Sequence, residues 1–551
     1  MPSLSRPTDK VAAGGGENRR VTTTLYRNGR IHSPADPFAT AMLVVDDTVA
    51  WVGAEGAAQT HLDAADEVVD LEDALVAPAF VDAHVHLTET GLARDGLDLA
   101  GVAGRAALLD LVAARAKERP GEAILGFGWE EDGWPDGGAP TPDELDRASS
   151  RAPVYLARRD VHTAAVSGTL LAADRSIARA DGYDDGLVRR DAHHRARQAA
   201  RAAVPAGRMA ELRVAALRHA ASLGIGAVHE IGAPHIGDPA DFAAVLALGA
   251  DPELPDVIGY WGATAVGEAQ ALGAAGAAGD LNLDGSIGSR SARLSAPYAD
   301  APGERGRLYL DLDTATAHVV ACTRAGIQAG FHCIGDEAVR IAVEAISAAA
   351  EVCGLAAVVG SRHRLEHVEM IDDLLIAELA RLGVAASVQP AFDALWGGPG
   401  GMYAERLGPD RGVALNPFAA LARAGVLLAF GSDSPVTPLA GWETVRAASR
   451  HRTPAQRISA RAAFSAATRG GWRAARIEDA GVLAPGMRAS FAVWEVPYEL
   501  VVQAPDERVA AWSTDPRAGV PGLPDLSPDA PLPRCLRTVV RGRTAFSADW
   551  K

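Results

Sequence analysis

The chain has 551 residues, of which 48% are hydrophobic and 22% charged, enough apolar material for one large domain with additions or for two to three domains. Its formal net charge of -17 removes the basic excess that a nucleic-acid or anionic-membrane partner requires, and leaves a small-molecule substrate as the expected partner, with no nucleic acid and no membrane. Four scattered cysteines, Cys322, Cys333, Cys353 and Cys535, form neither a disulfide framework nor a CxxC zinc site, which fits a reducing cytoplasm, and no run of about 18 apolar residues would span a membrane.

Residues 1–20 are polar and glycine-rich, lack the apolar stretch of a secretory signal, and read as a disordered tail. From Thr23 to Val52, short apolar runs are split by Asn-Gly, Pro and Asp-Asp turn signals, the pattern of a hairpin or small sheet. The same pattern returns in 481–496 and 536–546, so 21–78 and 481–551 are expected to form one composite β-domain from both termini. Between them, 79–480 alternates Gly- or Pro-bounded apolar runs with Ala-rich amphipathic stretches, the mark of successive β-then-α units. The expected strands are PAFVDAHVHL, EAILGFGW, APVYLARR, IGAVHEIG, DVIGYW, GIQAGFHC, HRLEHV, GVAASVQP and VLLAFGSD. These exceed what a plain (β/α)8 barrel of roughly 250 residues needs, and 95–215 is the expected insertion.

In PAFVDAHVHL, strand alternation places Phe80, Asp82, His84 and His86 on one face. Two imidazoles at the end of a barrel strand form half of a metal site. Three further strand ends add candidates: His332 in GIQAGFHCIGD, His367 in HRLEH, and Asp433 after the apolar run 426–430 in VLLAFGSDSP. Each alone reads as a hydrogen-bonded histidine or a capping aspartate; their recurrence at successive strand ends points to a shared site.

The series PAFVDAHVHL, ILGFGWEEDGW, TPDELDR, LDGSIGSRSA, HCIGDEAV, RLEHVEMI, ASVQP and AFGSDSPV, closed by GVLAPGMRASFAV, resembles the amidohydrolase superfamily. Within it, the series is similar to amidohydrolase family 3 and its N-substituted formamide deformylases, over about residues 23–546. The resemblance implies a distorted (β/α)8 barrel, a composite β-sandwich domain, and a divalent metal, zinc or a similar ion, in a site lined by His84, His86, His332, His367 and Asp433. It implies hydrolysis of a non-peptide C–N bond of a small molecule by hydroxide formed on the metal, with Asp433 as general base and then acid. A hydrolytic deaminase of a heterocycle and a non-catalytic metal-binding relative are the alternatives. Departures from the family pattern fall at Ala79, Arg190 and Ser490, and around His162.

Substrate-binding candidates are Trp129, which with Glu130 and Trp134 would form a lid, Arg290, which would hold a carboxylate, and His162. His193 and His194 read as bystanders on a solvated, Arg-rich helix. Binuclear relatives bridge their metals with a carboxylated lysine, yet no lysine lies between positions 117 and 551, and Asp280 stands where that lysine is often found. Asp280 is expected to be too short to replace it, and Glu230 is the candidate bridging carboxylate. One metal per chain is therefore expected, held by His84, His86, His332 and Asp433, with His367 either a ligand or the group that polarises the substrate carbonyl. A homodimer is compatible with these features.

Overall fold

The computed structural model describes residues 21–549 apart from 132–133, 136–137, 160–162, 504–511 and 514–520. The expected tail, 1–20, and His162 lie outside the described residues. Eight parallel strands form the central sheet: β1 (Phe80–Val85), β2 (Ile225–Gly232), β3 (Asp256–Trp261), β4 (Gly276–Ala277), β5 (Gln328–Cys333), β6 (Arg364–His367), β7 (Ala385–Val388) and β8 (Leu427–Phe430). The sheet returns on itself where the turn after β8 meets the end of β1. There Asp433 N donates to His84 O at 2.8 Å and His86 N donates to Ser434 O at 3.0 Å. This is the distorted (β/α)8 barrel.

Strands covered on both faces have no polar side to show, so they read as short unbroken apolar or small-residue runs. β1, β2, β5, β6 and β7 are buried along their whole length. β4 is different: two small residues carry no periodicity, and this strand was not expected. Of the expected strands, EAILGFGW and APVYLARR are not in the barrel. They lie in a separate six-stranded sheet, ordered Tyr183–Asp184, Leu187–Arg189, Thr163–Val166, Val154–Arg158, Ile124–Trp129, Leu97–Asp98.

Four helices frame the cavity at the strand ends: α1 (Leu87–Asp95), α2 (Arg190–Ala202), α3 (Pro390–Trp396) and α4 (Met402–Leu407). α2 packs Ala192, Ala196 and Ala200 onto Tyr155, Val166 and Val188 of the six-stranded sheet. The helix that follows, Ala206–Ser222, instead sends Met209 and Leu212 to Leu92 of α1, and Ala216, Leu217 and Ala220 into the main core. Met209 and Leu212 also meet Leu125 of the six-stranded sheet, so this helix bridges that sheet and the barrel.

Both termini contribute to the remaining sheets. A five-stranded sheet joins Arg30–Ile31 and Leu75–Pro78 to Phe491–Glu495, Arg534–Val540 and Arg543–Ser547, and faces a four-stranded sheet made of Thr48–Gly53, Ala41–Val45, Thr23–Arg27 and Glu67–Asp70. Tyr26, Met42 and Val44 from one sheet share a core with Phe491, Val493 and Val539 from the other, as in a sandwich. No helix among the described residues is long and apolar enough to cross a membrane.

Candidate metal centre

Strand alternation on β1 sends His84 inward, and His86 follows at the strand's end. His84 Nε2 lies 3.4 Å from Asp433 Oδ1 and 3.7 Å from Asp280 Oδ1; His86 Nε2 lies 3.1 Å from Asp433 Oδ1 and 3.6 Å from Asp280 Oδ2. The His367 ring stands 5.0 Å from that of His84 and 4.5 Å from that of His332. Two overlapping triads bring ligand atoms within 4.8 Å of one another, His84 with His367 and Asp433, and His84 with His86 and Asp280.

The residues present fit a divalent metal. Each of three imidazoles has its Nδ1 committed to an acceptor: His84 donates to Glu366 Oε2 at 3.0 Å, His86 to Ile231 O at 2.8 Å, and His367 to Gln389 Oε1 at 2.8 Å. That orients each ring with Nε2 turned to the centre, the usual support for a metal-binding histidine. His84 Nε2 and Asp280 Oδ1 are buried without a hydrogen-bond partner, a costly state for polar atoms unless something else satisfies them.

The electrostatics agree. Burial disfavours both charged carboxylates, yet the surrounding histidines hold Asp280 and Asp433 below the ordinary carboxylate range. Burial likewise opposes a charged His86, but its hydrogen bond to Asp433 and the charge of Asp280 push it up to about 10. In the same cluster burial, together with His332 and His84, brings His367 down to about 3. Two buried carboxylates thus draw positive charge into the site, and neutral imidazole is available beside them.

A second set of side chains holds the ligands in place. Glu366 is buried between His84 and Arg364, whose guanidinium donates to it at 2.5 and 2.9 Å, to His229 Nδ1 at 3.0 Å and to Ala83 O at 2.8 Å. Asp82 Oδ1 accepts from His84 N at 3.2 Å and from Ser432 N at 2.9 Å, tying β1 to the turn that carries Asp433. Asp284 accepts from Ile334 N, Gly335 N and Arg293 N at 2.8–3.0 Å and so fixes the loop after His332.

A cavity of about 560 Å³ opens on the cluster, lined by His86, Asp280, His332, His367 and Asp433. Several expectations are corrected by the placement of side chains. Trp129 is wholly buried in the core of the insertion and donates its indole N–H to Leu156 O at 2.8 Å, so it does not reach the cavity. Arg290 is spent on Asp300, at 2.7 and 3.1 Å, in an ordinary loop ion pair. Glu230 accepts from Leu87 N at 2.8 Å and caps the first turn of α1; its carboxyl, pushed up to about 7 mainly by burial, belongs to neither triad. His332 also stands outside both triads.

Asp280 is the ligand-type residue that sequence reasoning discounted. β4 ends at Ala277, Gly279 turns with φ 81°, and the carboxylate arrives at His84 and His86 without the length of a lysine. His193 and His194 were also misjudged: α2 folds over the barrel mouth, and both line the cavity with His235, His193 in a 2.8 Å contact with Tyr155 OH. Their Arg-rich surroundings signalled solvent, whereas only the packing of α2 on the insertion sheet shows which face turns inward.

A model described as the amidohydrolase family matches residues 67–546. The chain is 27% identical over 519 residues to Protein LONG AFTER FAR-RED 3 of Arabidopsis thaliana, covering 86% of this chain and 87% of that one. It is also 27% identical over 401 residues to Putative amidohydrolase YtcJ of Bacillus subtilis, covering 68% and 73%. Among solved structures, an uncharacterized metal-dependent hydrolase from Pyrococcus furiosus superposes with a TM-score of 0.71 at 26% identity, covering 86% of this chain and 98% of that one. The match to the family model spans the barrel, the insertion and most of the five-stranded sheet, and it includes every strand end that carries the centre; the chain belongs to the amidohydrolase family.

Proposed function

We propose that this chain hydrolyses a non-peptide C–N bond of a small molecule, using one zinc-class divalent ion held through His84 with His86, His367, Asp280 and Asp433. The observation that carries this reading is the Asp433 carboxylate, 3.1 Å from His86 Nε2 and 3.4 Å from His84 Nε2 on the wall of the cavity. Such an ion, when bound, supplies Lewis acidity toward a carbonyl oxygen and lowers the pKa of a water. Asp433 accepts the proton of the attacking water and later delivers it to the leaving amine. His367 serves as a ligand in this scheme, because Nδ1 carries the proton toward Gln389 and Nε2 has none to offer a carbonyl. His332 lines the cavity beside it and is left to the substrate.

His84 supports the reading of a single ion. Its Nδ1 is engaged by Glu366, so only Nε2 remains, and both triads draw on that one lone pair. About one equivalent of tightly bound metal per chain is expected by elemental analysis; two equivalents would overturn this. The function is tested with Asp433→Asn, assayed on N-formyl, N-acyl and lactam substrates together with aminated heterocycles. Retained metal with turnover lower by orders of magnitude is expected. Activity within a few-fold of wild type removes Asp433 from the chemistry, and ammonia release from heterocycles, in place of amine release from amides, makes the enzyme a deaminase.

A further inference from the structure

Beside the metal centre the cavity holds a second polar cluster that the hydrolytic scheme does not use. Glu369, two residues past His367, is 3% exposed, and its Oε2 has no hydrogen-bond partner. The hydroxyl of Tyr403 on α4, 1% exposed, faces that carboxylate in a loose contact and has no tighter partner than Glu369 and Asn416, and Glu369 and Tyr403 both line the cavity. Asn416, whose backbone N donates to Glu369 O at 2.9 Å, adds a buried side-chain amide in loose contact with the Tyr403 hydroxyl. Arg406 lines the same cavity but is committed to Asp300 at 2.6 Å and to Gly288 O at 3.2 Å. Around the cluster the lining is apolar, with Ile287, Ile334, Phe392, Trp396, Met402 and Val436.

We propose that Glu369 and Tyr403 form a recognition subsite for a hydrogen-bond donor, an ammonium, alcohol or N–H group, carried on the apolar portion of the substrate. The inference rests on the hydrolase reading of the neighbouring centre and names the substrate class for it, an aryl or alkyl amide bearing such a donor. The physical reason is the asymmetry of buried hydrogen bonding: an acceptor stripped of water and left unpaired is costly, and a ligand that pairs it recovers that cost. A carboxylate makes the strongest form of this contact with a cationic donor. The apolar wall then selects the carbon skeleton, and the cluster selects what is attached to it.

The test uses two probes that undergo no hydrolysis, so its outcome is independent of whether the chain cleaves C–N bonds. Calorimetric titration of the metal-loaded protein with benzylamine and with benzyl methyl ether is expected to favour benzylamine by about tenfold or more, the ratio for one charge-assisted hydrogen bond. The preference is expected to fall to within about twofold in Glu369→Leu and in the isosteric Glu369→Gln, and partly in Tyr403→Phe. Thermal unfolding checks that each variant is folded, and Glu369→Gln carries the test if the leucine variant is not. Equal binding of the two probes by wild type, or no binding of either, would overturn the proposal. So would a preference that survives in both Glu369 variants, since the amine would then sit on the metal.

Discussion

Asp280 shows how much one side chain depends on where its backbone is delivered. An aspartate reaches less far than a lysine, but Gly279 in the left-handed region turns the chain after β4 and brings the carboxylate within 3.7 Å of His84 Nε2. Asp280→Ala is expected to lower metal affinity by more than an order of magnitude while leaving the barrel folded, as measured by metal titration and circular dichroism; undiminished affinity would return Asp280 to the role of bystander. Glu366 acts through another residue, as a positioning group. Glu366→Gln weakens the anchor on His84 Nδ1 and leaves the Arg364 guanidinium short of its buried counter-charge. The expected result is a 10–100-fold loss of metal affinity together with destabilisation of about 3–5 kcal/mol. Loss of stability with unchanged metal affinity would show that Glu366 serves the core alone.

At the scale of elements, the centre is built where strands β1, β4, β6 and β8 end, and the last two ends are held in unusual conformations. His367, Val368 and Asp433 all have positive φ, of 71°, 50° and 56°; for residues with a side chain this costs on the order of 1–3 kcal/mol each and persists where surrounding structure enforces it. Part of that enforcement comes from Gly431. A Cβ there would stand 2.5 Å from His84 N and 2.6 Å from His84 Cβ, so β8 can lie against β1 only with a glycine at this position. Gly431→Ala is expected to separate the Asp433 turn from the two histidines, lowering metal affinity and turnover together although residue 431 contributes no ligand. A variant with wild-type metal content and activity would mean that β1 moves aside at no cost.

At the scale of the whole molecule, buried neutral histidines couple the barrel's stability to pH. His363 is fully buried between helix and sheet, its Nδ1 accepts from Ala329 N of β5 at 2.9 Å, and a ring that accepts there must be unprotonated. Burial, reinforced by His318 and Arg476, lowers it to about 4. Because the folded value lies below the unfolded one of 6.5, the stability it contributes is complete above about pH 6.5. It is lost as pH falls from there toward 4, by on the order of 3 kcal/mol. Denaturant unfolding of His363→Gln is expected to show a shallower decline over pH 7–4.5 than wild type; parallel curves would remove His363 from the acid response.

How much of this was legible in the sequence follows from the range over which each feature is encoded. The strands β1, β2, β3, β5, β6, β7 and β8, the HxH pair, and His332, His367 and Asp433 at strand ends rest on local pattern, because alternation and turn chemistry act over a few neighbouring residues. β4 had no pattern to show, being two small residues long, and Asp280 was discounted with it. The fates of Trp129, Arg290 and Glu230 were set by partners, Leu156 O, Asp300 and Leu87 N, that no motif names. His193 and His194 became cavity walls because α2 folds across the barrel mouth. His86 and Asp433, 347 residues apart along the chain, meet at 3.1 Å. By itself the sequence determined which side chains were chemically fit to hold a metal and which segments were strands; closure of the barrel and docking of the insertion decided which of them meet, because distances between remote segments depend on packing that no local run of residues carries.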